Sequence, residues 1–292
     1  MGIVTTAFTQ QYTDNITQLV QQKMTKLRAT VRVDTDFTGE YKFYEQYGKT
    51  AMVRKTSRNQ DTPSIDPDHK RRRITKDDYI HNVLLDKEDQ LSMIVDPKST
   101  YSEAASMAAG RQMDDTIIAA LVATAYTGKT GATEQAFAND DADNVIAVGG
   151  AGLTKDKLIE AKQVLDNHDV EDEDRFCVLT PLQLSDLLKT TEATSIDFNT
   201  VQALVGGNIN TWLGFKIVRI STSRLPVLTG TTNRGVYCYH RNAMQMAIQK
   251  EPSVRIDERP DKNYAWQVHM AMTIGATRLE EDRIVQIACS EA

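Results

Sequence analysis

The chain has 292 residues, 40% hydrophobic and 25% charged, with a net charge of −6. That length can bury a real core in one or two domains, and the negative balance excludes a surface coated all over in nucleic acid. Cys177, Cys238 and Cys289 form no CxxC pair, no run reaches the ~18 apolar residues of a membrane span, and the N-terminus has no signal-peptide pattern, so a cytosolic chain with buried free thiols and no membrane contact is expected.

Residues 14–28 place Ile16, Leu19, Val20 and Leu27 near one helical face, which predicts a short amphipathic helix. The stretch FTGEYKFYEQYGKTAMVRKTSRN that follows is rich in Tyr, Phe, Thr and Val. A tip containing Pro63 and Pro67 leads to RRRITKDDYIHNVLL, where Ile74, Ile80 and Leu84 share one parity. We read residues 37–85 as one long β-hairpin. Its apolar residues are too few to bury a core, and an isolated two-stranded ribbon is marginal in water. Nothing adjacent in sequence covers it.

The longest helix is predicted over 101–125, with a Thr100-x-x-Glu103 capping box at its start and Gly128 and Gly131 ending it. The second half alternates strands and helices. NVIAV leads to a helix over 154–167, with Thr154 as N-cap and Leu158, Ala161 and Leu165 facing inward. RFCVL reads as a buried strand, and Thr180 caps a helix with Pro181 at its first position. FKIVRI, GVYCYH, MQMAIQ and SVRIDER read as strands, and the chain closes with two more. The class is α+β.

Charge is unevenly placed. Lys42 to Lys76 holds ten basic and four acidic residues, a balance of +6; Glu134 to Asp174 holds twelve acidic and three basic, a balance of −9. Identical subunits in head-to-tail contact can exploit such asymmetry.

The tempting active-site motifs fail on context. YTGKTG, ending at Gly131, has Ala123 where a phosphate loop needs its first glycine, and it follows a helix. NVIAVGGAGLTKDKL has the strand–glycine–helix order of a dinucleotide fold, but the third glycine falls on Lys155. The histidines form no HExxH, Cys238-x-His240 sits in a strand, DVEDEDR lacks the central glycine of a calcium loop, and no GxSxG occurs. The carboxylate pairs Asp114–Asp115 and Glu280–Glu281 need not converge in space. No catalysis, cofactor or metal is expected.

QQKMTKLRATVRVD, TSRNQDTPSIDPDHKRRRI, GRQMDDTIIAALVATAYTGKTG and DERPDKNYAWQVHMAMTIGATRLEEDRIVQIAC, with the order of parts, resemble the major capsid proteins of tailed bacteriophages. The likeness runs from about Phe8 to the C-terminus and implies the HK97-like capsid fold. It implies an N-terminal arm (1–36), an extended loop over a neighbouring subunit (37–85), a peripheral domain (86–150 and 246–292) with a spine helix over 101–125, and an axial domain (151–245). It further implies a homo-oligomer of pentamers and hexamers, a separate scaffolding protein, a portal and decoration proteins. The shell would enclose double-stranded DNA without sequence-specific binding, assembling in the host cytoplasm into a virion.

Inter-subunit contacts are expected at Lys70, Arg71, Arg72, Arg73, Arg54 and Arg58, with Gly206 and Gly207 adapting a segment over 190–211 near the capsomer axis. On an extended strand Arg71 and Arg73 face one way, Lys70 and Arg72 the other. Asp66, Asp68, Asp77 and Asp78 flank the cations and would repel phosphate, so carboxylates of an adjacent subunit are the expected partners rather than DNA. Two other readings stay open: an encapsulin-like cellular compartment with the same fold, and a nucleotide-dependent enzyme.

Overall fold

The computed structural model describes residues 21–62, 64–86, 98–137, 144–189, 211–228 and 233–291. Its elements in chain order begin with strands β1 (Arg32–Asp34), β2 (Tyr41–Tyr47), β3 (His69–Thr75) and β4 (Asp77–Leu85), then helix α1 (Lys98–Val122). Strands β5 (Ala125–Thr127), β6 (Thr133–Gln135) and β7 (Val145–Ile146) lead to α2 (Lys155–Asn167), β8 (Arg175–Leu179) and α3 (Pro181–Leu188). The last strands are β9 (Thr211–Trp212), β10 (Phe215–Arg219), β11 (Arg234–His240), β12 (Met244–Arg259), β13 (Ala265–Arg278) and β14 (Ile284–Cys289). The α+β class holds, and no helix among the described residues is long and apolar enough to cross a membrane.

The expected hairpin forms between β2 and β3, in register from Tyr41↔Thr75 to Tyr47↔His69. It stops there. β4 belongs to a second sheet, ordered β1-β12-β13-β4. The inward parity also flips at Lys76: Arg72 and Ile74 are buried in β3, whereas Ile80 and Leu84, expected to share their face, are exposed in β4. The cause is a close crossing. The backbone of Thr75 and Lys76 lies on Gly275 of β13, where a Cβ would overlap the Thr75 carbonyl.

Nor is the hairpin uncovered within its own chain. β5 and β6 extend its sheet in the order β2-β3-β5-β6. Phe37, Ile74 and Ala247 form a small buried cluster with Tyr44 packed on it. Gly128 and Gly131 do not end a helix; they make the β5–β6 turn, where the Gly131 N–H donates to the Gly128 carbonyl at 3.1 Å.

Two helix boundaries differ from expectation. α1 begins by Lys98, so Thr100 lies inside the helix instead of capping it. Of the helix predicted over 14–28, residues 14–20 fall outside the described set, and 21–27 are not helical. The N–H groups of Lys26 and Leu27 donate to the Asp114 carboxylate at 3.0–3.1 Å, taking the place of helical carbonyls. The caps at Thr154 and Thr180 are as expected, each hydroxyl accepting from the backbone three residues on.

A six-stranded sheet, ordered β7-β14-β11-β8-β10-β9, carries the main core. Leu158, Ala161 and Leu165 of α2 and Leu184 and Leu187 of α3 pack against Cys177, Val236, Cys238, Val285 and Ile287. All three cysteines are free and buried, and burial pushes the Cys289 thiol up to about 12. Contacts divide the chain into two compact units. One comprises residues 1–25, 78–112 and 250–273; the other comprises 26–77, 113–249 and 274–292.

The crossing at Gly275 gives a direct test. A Gly275→Ala variant should lose about 1–3 kcal/mol of stability, because the new methyl must displace backbone rather than a flexible side chain. Urea denaturation followed by circular dichroism would measure it; an unchanged midpoint would contradict the crossing.

Candidate functional site

In a strand, alternate residues face opposite sides, and the β2–β3 ladder makes those sides chemically different. One side meets the body of its own unit. Here Lys42 lies opposite Ile74, Tyr44 opposite Arg72, and Gln46 opposite Lys70. The Tyr44 hydroxyl donates to Asp34 at 2.7 Å and the Lys42 ammonium to the same carboxylate at 2.6 Å. Burial pulls the Asp34 carboxyl up, but these hydrogen bonds outweigh it and hold it below its usual range.

Arg72 is 4% exposed. Its Nε donates to the Leu279 carbonyl at 2.9 Å, and its Nη2 pairs with Glu281 at 2.5 Å. Glu281 also accepts from Arg278 Nε at 2.9 Å, while the other Arg278 nitrogens donate to the carbonyls of Leu121, Ala123 and Gln135. One buried carboxylate thus joins two buried guanidiniums. The hairpin base is locked to the β13–β14 turn and to the segment after α1.

The opposite side faces away. It presents Tyr41, Phe43, Glu45 and Tyr47 across from Thr75, Arg73, Arg71 and His69, with Tyr126 beside Arg73. Tyr47 is 68% exposed, Tyr41 44% and Phe43 38%. Tyr47 and His69 meet edge to face at 4.8 Å. Arg71 pairs with Glu45 at 2.7 Å, both about half exposed. Arg73 has the rings of Tyr41 and Tyr126 at 4.8 and 4.6 Å from its guanidinium carbon, distances for cation–π attraction.

Beyond Gly48 and Asp68 the chain leaves the ladder. The Gly48 N–H donates to the Asp68 carbonyl at 2.7 Å and closes the neck. The described residues from 49 to 67 form no strand. A small turn is built where Gln60 accepts from Thr56 and Ser57, with Asn59 at φ 62°. Arg54, Lys55 and Arg58 are exposed and have no ion pair among the described residues, and Met52 and Val53 are exposed beside them.

The eight residues expected at contacts between subunits therefore separate. Arg54 and Arg58 lie on the open tip, Lys70 is exposed on the body-facing side of the ladder, Arg71 is exposed on the opposite side, Arg73 lies between two rings, and Arg72 is enclosed by its own chain. Gly206 and Gly207 lie outside the described residues. The Arg72–Glu281–Arg278 cluster escaped sequence reasoning. Its signal was the parity Arg72 shares with Ile74, which marks a cation on the inward face.

The acidic segment is less free than its count implies. Asp166 and Asp172 hold Arg175, Glu171 holds Arg283, and Asp174 holds Lys216. Glu173, Asp169, Asp156 and Glu160 have no ion pair among the described residues. The suspected carboxylate pairs are also structural: Asp115 holds Arg224 at 2.5 Å, Asp114 caps the backbone at Lys26 and Leu27, and Glu280 pairs with Arg283.

The strand–glycine–helix stretch after β7 is the electrostatic inverse of a phosphate cradle. Its carbonyls at Val148, Ala151 and Gly152, with that of Ala288, converge on the buried Lys157 ammonium at 2.8–3.0 Å. A phosphate needs N–H donors there. No group of three or more metal-ligating side chains occurs among the described residues.

A family model described as phage capsid protein matches residues 4–291. Among solved structures, the capsid of cyanophage P-SCSP1u superposes with a TM-score of 0.77 at 18% identity, over 99% of this chain and 95% of that one. The capsid of Helicobacter pylori bacteriophage KHP30 gives 0.74 at 9% identity, over 99% and 97%. The cyanophage Pam1 capsid gives 0.73 at 12%, over 100% and 98%. A search among curated proteins finds no matching sequence.

The buried cluster makes a prediction of its own. Replacing Glu281 by Ala strands two guanidiniums in the interior and should cost about 3–5 kcal/mol, whereas Glu45→Ala at the exposed pair should cost under about 1 kcal/mol. Equal losses in denaturant titrations would refute the contrast.

Proposed function

The chain belongs to the phage capsid protein family, and from that premise we propose that it self-assembles into the icosahedral head shell of a tailed bacteriophage around double-stranded DNA. As a major capsid protein it acts in the virion, in a shell of many copies. The observation that carries the finer reading is the hairpin: its base is locked into the chain while its tip exposes Met52, Val53, Arg54 and Arg58, which nothing among the described residues covers. A neighbouring copy supplies that cover.

In this reading residues 1–36 are the arm, 37–85 the extended loop, 86–150 and 246–292 the peripheral domain, and 151–245 the axial domain. Copies gather as pentamers and hexamers in the host cytoplasm with a separate scaffolding protein, a portal and decoration proteins. Part of residues 190–211, the segment that holds Gly206 and Gly207, is proposed to approach the capsomer axis. Family membership favours this over a cellular cargo compartment, and the carbonyl-lined pocket around Lys157 disfavours the nucleotide-enzyme alternative.

The closed neck at Gly48 and Asp68 allows a clean test. Residues 49–67 can be replaced by Asn-Gly, a pair suited to a tight hairpin turn. The shortened protein should keep its circular dichroism and fail to form shells in electron micrographs under conditions where the full chain forms them. Normal shells from the shortened chain would exclude the tip from assembly.

A further inference from the structure

Arg73 differs from the other two arginines of β3. Arg71 has Glu45, and Arg72 has Glu281 and Leu279. Arg73 has no hydrogen-bond acceptor among the described residues, and its Nε is buried without a partner. Its position is nevertheless fixed. The guanidinium lies between Tyr41 and Tyr126. The alkyl stem runs under the β5–β6 turn, where a Cβ on Gly131 would come within 2.7 Å of Arg73 Cδ and 2.9 Å of Phe43 Cε1. Gly131, at φ +65°, lets the turn press directly on that stem.

Stacking engages the faces of a guanidinium and leaves its in-plane N–H groups for a planar acceptor. A long cationic side chain normally loses rotamer freedom on binding; here the rings and the turn have already restricted it. We infer that Arg73, framed by Tyr41, Tyr126 and Gly131, is a preorganised receptor for a carboxylate offered by a second copy of this chain. The inference rests on the shell-forming function and names one of its contacts.

Two observations favour a protein carboxylate over a nucleic-acid phosphate. Arg71 is already neutralised by Glu45, so the face offers one uncommitted guanidinium, too little for a backbone-tracking groove. Exposed Tyr41, Phe43 and Tyr47 around an arginine match the composition of protein–protein hot spots. The same chain supplies carboxylates, since Asp156, Glu160, Asp169 and Glu173 have no ion pair among the described residues.

The test compares full-length wild type with Arg73→Lys and Arg73→Met. Lysine keeps the charge without the fork, and methionine keeps an apolar stem between the rings. Both should retain the wild-type circular dichroism and melting curve. Both should need a roughly tenfold or greater protein concentration to reach half-assembly, the scale of losing one interface hot spot. Gly131→Ala, which displaces the stem without touching the charge, should impair assembly in the same direction. Assembly of Arg73→Lys and Arg73→Met at the wild-type concentration, with wild type forming shells, would overturn the inference and leave the capsid function intact. Normal shells that lose packaged DNA would also overturn it, marking Arg73 as a phosphate contact. Failure of wild type itself to assemble, with scaffold supplied, would count against the shell reading.

Discussion

The hairpin depends on Glu281. A carboxylate between two arginines, 2.5 Å from Arg72 and 2.9 Å from Arg278, would be a poor way to gain stability alone, because taking three charges from water costs more than their attraction returns unless the remaining donors are also satisfied. Here most are. Arg278 reaches three backbone carbonyls and stacks on Phe137, and Arg72 reaches a fourth carbonyl. Burial pulls the Arg278 pKa down, and Glu281 opposes that shift. The cluster therefore acts through geometry. Three distant stretches, at 72, at 121–135 and at 278–281, must meet for any one of these charges to be tolerated.

That lock explains how one strand serves two purposes. The side of β3 that carries Arg72 and Ile74 is committed to the chain's own interior, so the opposite parity, with Arg71 and Arg73, is held at a defined angle. A ribbon free to twist would smear its aromatic side chains over many orientations, and ordering them would then oppose association. Fixing the base moves that entropy loss into folding. The tip beyond Gly48 and Asp68 is left out of the ladder, and its described residues form no strand.

Much of this was legible in the sequence. Strand and helix types, the caps at Thr154 and Thr180, the buried cysteines and the hairpin follow from local pattern, which depends on neighbours a few residues apart. The failures have a common cause in long-range contact. Parity across 69–85 could not disclose the break at Lys76, because its cause is Gly275, some two hundred residues away. The capping box at Thr100 obeyed its local rule and was overridden by a longer helix. Gly128 and Gly131 read equally well as helix stops or hairpin turns, and pairing with β3 decided between them. The basic run was visible at once; that its four members have four different environments was not, since their partners at 45, 126 and 281 come from three separate segments.

A closed shell also constrains how strong any one contact can be. Head-to-tail joining of identical subunits closes only if each step repeats the same geometry. Contacts strong enough to be irreversible singly would trap misaligned neighbours. An ion pair as exposed as Arg71–Glu45, half in water within the chain, contributes about 0–1 kcal/mol, and an equally exposed pair between subunits would contribute on the same scale. The energetic weight sits inside the subunit, in Glu281 and its two arginines, where it sets shape. On the outer face the rings of Tyr41 and Tyr126 hold the Arg73 guanidinium in place. Strength then comes from repetition, since a subunit gripping several neighbours through weak, well-aimed contacts gains avidity that no single pair supplies. In the proposed shell, a hairpin locked at its base and exposed at its tip would meet both demands.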